Sequence, residues 1–322
     1  MIALLFACLL LISTFSTSES NVAYGQEATS KNYVLAGDKA VEAGRFSEAE
    51  SKYSAALALI DKPNSYNNDV ARILIKLGEL HRTQKEYSKA EPLYRRAIAI
   101  LDWSLGPDDL EVATTLNYLA NVYAHLDGHY SLAGALYHRV LAIREHVLGP
   151  DHPDVAESLT TLGLALYFPH GRLAEGEPLF QRALAIREKS LGPDHLQVAG
   201  SLSTLAFLYD AQGRYEKAEP FYLRALTIRE KHLGPDAPDV LQTVYNLGMV
   251  YILTHQYDKA EAFHKRRLLT LEKIRGPDHP DVATALMDYA SVLREMGHID
   301  EAAALDARAN KIQGRAKKGS EK

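Results

Sequence analysis

Residues 141–156 read LAIREHVLGPDHPDVA, 184–199 read LAIREKSLGPDHLQVA, and 226–240 read LTIREKHLGPDAPDV. The tripeptide Gly-Pro-Asp inside them recurs at Gly106, Gly149, Gly192, Gly234 and Gly276, at spacings of 43, 43, 42 and 42 residues. A long match at so constant a period marks an array of stacked structural repeats, each too small to bury its apolar face alone. Two divergent copies lie upstream, around 33–61 and 69–101, and a last one covers 281–311, which makes seven.

Each copy splits into two helical patterns. In 198–211, VAGSLSTLAFLYDA, the residues Leu202, Leu205, Ala206 and Tyr209 fall on one face at about 100° per residue. Gln212-Gly213-Arg214-Tyr215 then forms a turn, and 216–232, EKAEPFYLRALTIREKH, forms a second helix. Ser88-Lys89-Ala90-Glu91 and Ser47-Glu48-Ala49-Glu50 have the form of capping boxes that open second helices. Pro92, Pro178 and Pro220 are expected in the first turn, where a missing N–H costs little. Gly-Pro-Asp stops the second helix and turns the chain.

A helix pair with Leu-Ala or Leu-Gly, Tyr and Ala at set places resembles the tetratricopeptide repeat. The longer period and the wording AEPLYxRALxIRExxLGPDHPDVA resemble its kinesin light chain subtype, over about 280 of the 322 residues. The resemblance implies an all-α fold: a right-handed α-α superhelix, or solenoid, of seven helix pairs. The expected repeats are about 31–61, 69–105, 110–148, 154–191, 196–233, 239–275 and 281–311. No heptad pattern precedes residue 31, so the motor-binding coiled coil of kinesin light chains is not carried over.

In such a stack the first helices line the inner face. Positions 2, 5, 9 and 12 of each point about 150–180° away from the core positions and are free to touch a ligand. The second repeat offers Arg72, Ile75, Glu79 and Arg82, with Lys76 beside them. The third offers Thr114, Asn117 and Asn121, and the fourth Thr160, Leu164 and Tyr167. The fifth offers Ser203, Phe207 and Asp210. The sixth offers Gln242, Tyr245, Met249 and Ile252, with Asn246 adjacent. The Asn amides suit the main chain of an extended peptide, and Phe207, Tyr245 and Met249 suit its side chains. Related repeats use groove residues for peptides, which is what the resemblance implies here.

The rest of the chain narrows the function. With 36 basic against 41 acidic residues, the net charge of −5 disfavours nucleic acid as a partner. Cys8 is the one cysteine, which excludes an internal disulfide and a cysteine-rich zinc site. His152-Pro153-Asp154 and His279-Pro280-Asp281 belong to the repeating turn, and Asp127-Gly128 separates His125 from His129, so neither set is read as a site. No phosphate loop, Gly-x-Ser-x-Gly or His-Glu-x-x-His is present. Arg187-Glu188 and Arg229-Glu230 are expected as solvated or inter-repeat pairs of small value, and His264-Lys265-Arg266-Arg267 as a basic patch.

Residues 2–12, IALLFACLLLI, are eleven apolar residues, short of the roughly 20 a membrane span needs. That length suits a signal peptide over 1–20, followed by a polar lead-in at 21–30; no Lys or Arg precedes Lys31. Residues 312–322 read as a basic flexible tail. The expectation is a non-enzymatic scaffold, without cofactor, metal or stable membrane span, that binds a peptide or protein segment. It is exported if the signal is cleaved and cytoplasmic otherwise. The alternative is an accessory subunit of a separate enzyme or envelope assembly complex.

Overall fold

A computed structural model describes residues 25–62, 66–166 and 172–320. The signal segment 1–20, Cys8, Tyr167 and the last two residues of the tail lie outside that range. The described residues form helices joined by short turns, with no strand among them.

Two compact units divide the chain at Pro150 and Asp151. The first holds α1 (25–42), α2 (Phe46–Ile60), α3 (Asn68–Thr83), α4 (Tyr87–Ser104), α5 (Leu110–Ala124) and α6 (Tyr130–Leu148). The second holds α7 (Pro153–Leu166), α8 (Leu173–Leu191), α9 (Leu196–Ala211) and α10 (Tyr215–Leu233), then α11 (Pro238–Leu253), α12 (Tyr257–Arg275), α13 (Pro280–Glu295) and α14 (Ile299–Ser320). Odd-numbered helices are the first of each pair and even-numbered the second. Within each unit, partners of a pair pack together, and each second helix packs on the next first helix. This is the helix-pair solenoid the repeat implies.

An aromatic on the second helix presses against a small residue on the first. A Cβ built on Gly78 would lie 2.7 Å from the Tyr94 ring, and one on Gly163 would lie 2.6 Å from Phe180. The sixth pair uses His264 against Gly248 in the same way. The Gly-Pro-Asp glycines end second helices in a conformation closed to other residues; Gly149 has φ 87° and ψ 156°.

The Asp of that turn has its own partner. Asp194 pairs with Lys231 at 2.7 Å, Asp236 with Lys273 at 2.6 Å and Asp278 with Arg315 at 2.8 Å, each time on the following second helix. The histidine after it caps the next first helix: His152, His195 and His279 accept the backbone N–H two residues on, as Asn67 and Asp109 do earlier.

Three local expectations are corrected. Ser47 and Ser88 do not cap second helices. α2 begins at Phe46 and α4 at Tyr87, behind Arg45 and Glu86, neither of which makes a side-chain cap. The left-handed turn residues Gly44 (φ 70°) and Lys85 (φ 61°) start these helices earlier than the serines imply. Pro92 lies at the sixth residue of α4, past the first turn, and so removes one helical hydrogen bond; Pro178 and Pro220 hold the same place in α8 and α10. The chain ends also differ: the lead-in is already helical from residue 25, and α14 runs on to Ser320. Ser30 is buried and donates to the Ala56 carbonyl, and Ile312 is buried, so packing extends past both expected ends. No helix among the described residues is long and apolar enough to cross a membrane.

Candidate functional site

In the first compact unit the inner helices α1, α3 and α5 enclose a cleft of about 680 Å³. Arg72, Lys76 and Glu79, expected from the spacing, line it, together with Ile75 and Thr114. Asn117 and Asn121 of α5 do not. Asn121 is committed to the fold, since its Oδ1 accepts the Tyr137 hydroxyl at 2.6 Å.

The cleft is lined by ion pairs that tie neighbouring inner helices. Arg72 on α3 grips Glu111 in the first turn of α5 with two hydrogen bonds of 2.9 and 3.1 Å. Lys76 on α3 reaches Asp38 on α1 at 2.7 Å, and Tyr53 donates to the same carboxylate oxygen. Burial pushes the Asp38 carboxyl up, but the Lys76 and Tyr53 hydrogen bonds and the Lys76 charge outweigh it and hold it below the usual range. Glu79 binds Arg82 through both oxygens at 2.9 Å and accepts the Tyr94 hydroxyl. Val41, Phe46, Ile75, Leu80 and Tyr118 supply the apolar lining.

Asp38, Glu42, Phe46, Tyr53, Glu111 and Tyr118 were absent from the expected set. Counting from Gly37 as position 8 gives Asp38 at position 9 and Val41 at position 12, so the arithmetic applied to later repeats reaches α1 as well. Phe46 and Tyr53 come from a second helix, which an inner-face count never samples.

The remaining candidates lie in the second compact unit. Leu164 on α7 and Phe207 on α9 are exposed; Thr160, Ser203, Tyr245, Asn246 and Met249 are half-buried. Several serve the fold. Thr160 donates to the Ala156 carbonyl, and Asn246 Oδ1 accepts from Gln242 at 2.9 Å. The Arg267 guanidinium lies 4.7 Å over the Tyr245 ring and bonds Asp288 at 2.6 Å. A separate pocket of about 230 Å³, lined by residues of α11, α12 and α13, includes Gln242 and Arg267 but not Tyr245, Asn246 or Met249.

The basic patch of α12 is dismantled by packing. His264 is buried, Arg266 pairs with Glu230, and Arg267 pairs with Asp288. Arg187 and Arg229 are half-buried and make inter-repeat contacts, the second of the two places expected for them. Arg187 donates to Ser201 at 2.6 Å and Arg229 to Thr243 at 2.5 Å, each a buried hydroxyl on the next first helix. Burial lowers both guanidinium pKa values from the ordinary arginine value.

A family profile described as "Tetratricopeptide repeat" matches residues 27–102, 111–170, 165–231 and 233–313. Among curated proteins no sequence relative matches. Solved structures do. BtubC (BKLC) from P. vanneervenii is 22% identical over 74% of this chain and 92% of its own, with a TM-score of 0.60. A Podosopora anserina protein named for kinesin light chain, with nearly identical TPR-like repeats, is 25% identical over 65% of this chain and 97% of its own, at 0.58. A signal-transduction ATPase with a tetratricopeptide repeat sensor from Pyrococcus horikoshii is 18% identical over 88% of this chain and 41% of its own, at 0.69. With helix pairs at a constant period and a profile match over most of its length, this chain belongs to the tetratricopeptide repeat family.

Proposed function

We propose that this protein is a non-enzymatic interaction scaffold that holds an extended segment of a partner protein across the inner helices of its first compact unit. The observation that carries this reading is the cleft between α1, α3 and α5. Its volume suits several side chains, and its lining mixes apolar surface with fixed polar groups, as peptide grooves do. The kinesin light chain-like subtype is supported by the repeated LxIRExxLGPD wording and by 25% identity to the Podosopora protein. Export is supported by the apolar run 2–12 and is tested by sequencing the N-terminus of the protein made in its own host.

The binding reading is tested by filling the cleft. Thr114 is exposed on its wall, and Thr114→Tyr should leave the helix content unchanged while abolishing capture of partner peptides mapped from a pull-down. Undiminished capture by that variant would move the site elsewhere.

A further inference from the structure

We infer that the cleft of the first compact unit selects a segment carrying a cationic side chain, Lys or Arg, flanked by apolar residues. This rests on the reading of that cleft as a peptide site and names what it takes. The argument is one of which charges are already spent. Four carboxylates line the cleft: Asp38, Glu42, Glu79 and Glu111. Asp38 is bound to Lys76, Glu111 to Arg72 and Glu79 to Arg82. Glu42 alone of the four makes no ion pair or hydrogen bond among the described residues, and it is exposed.

The two cations of the lining are in the opposite position. Arg72 and Lys76 both sit at 2.7–2.9 Å from a carboxylate, and Arg72 has Asp69 at 3.6 Å as well. An anionic ligand would have to share Arg72 or Lys76 with the carboxylate already bound there and sit beside that like charge. A cationic ligand breaks nothing. Its head meets Glu42, and its aliphatic stem lies along Val41 and Phe46 of the same wall, since long basic side chains cover apolar surface while keeping the charge at the rim. The paired ions then act as fixed dipoles that resist the wrong charge.

The test uses the full chain and three acetylated, amidated peptides of about eight residues. That length, at roughly 3.3 Å per residue, spans three inner helices packed about 10 Å apart. The peptides alternate Leu and Val with Lys, Gln or Glu, and binding is measured by calorimetry at low and moderate salt. The Lys peptide is expected to bind tightest. Glu42→Gln should weaken it about three- to fivefold, as for an exposed ion pair, and leave the Gln peptide unaffected. Glu42→Lys should turn the preference toward the Glu peptide. Equal binding of all three peptides overturns the charge selection but leaves the peptide reading standing, as does a Glu peptide preferred by the unmodified chain. Binding of none overturns both.

Discussion

A methyl group on Gly78 would meet the Tyr94 ring at 2.7 Å, whereas one on Gly200, also mid-helix, would meet nothing within 4 Å. The same substitution therefore has opposite signs at the two places. Gly78→Ala should destabilise the protein by about 1–3 kcal/mol through overpacking. Gly200→Ala should stabilise it by up to about 1 kcal/mol, because alanine favours the helix and nothing is displaced. Urea midpoints of the two variants check both. His264 shows what one residue does at the place where Tyr94 and Phe180 stand in other repeats. Burial lowers its imidazole pKa; Asp288 opposes this and Arg267 adds to it. Below the ordinary histidine value of about 6.5 the unfolded chain takes a proton that the folded one refuses, so stability falls as pH drops from there toward the depressed folded value. His264→Phe should flatten that loss, read as the urea midpoint between pH 7 and 5. The sequence marks His264 as part of a basic run; only its packing on Gly248 shows it as a core residue.

Between helices, the contacts that set the stacking register are polar and recur with the repeat. Tyr123 donates to Glu91 at 3.0 Å, Tyr209 to Glu177 at 2.8 Å and Tyr251 to Glu219 at 2.9 Å, each reaching back to the preceding second helix. Tyr251→Phe should cost about 1.5–3 kcal/mol, the usual range for a hydrogen bond to a charged group, read from chemical denaturation. Arg229 is more demanding because it is half-buried. Thr243→Val keeps the shape but takes away its hydroxyl acceptor, and a loss of about 1–3 kcal/mol is expected in the same measurement. The helices themselves were plain in the sequence, since their apolar spacing and Gly-Pro-Asp stops are local. Their starts were less so. Ser47 and Ser88 carry a cap signature, yet the preceding left-handed residue and the aromatics Phe46 and Tyr87 begin each helix earlier.

At the scale of the molecule, each compact unit has a core of its own, and stability in repeat proteins is a sum of pair and interface terms. Gly78→Ala, in the first unit, is therefore expected to lower only part of the thermal transition; calorimetry should show the other part unmoved. A single peak shifting as a whole would mean that both units melt together. The sequence alone determined the repeat, its helix pairs, the all-α class and the inner-face positions Arg72, Lys76 and Glu79, because these follow from periodicity and from side-chain direction on a helix. The tertiary structure decided which of those positions share a cleft. It brought in Glu42, Phe46 and Tyr53, withdrew Asn121 into a bond with Tyr137, and paired nearly every cleft charge. Those outcomes depend on distances between residues tens of positions apart, which packing fixes and a pattern along one helix does not contain.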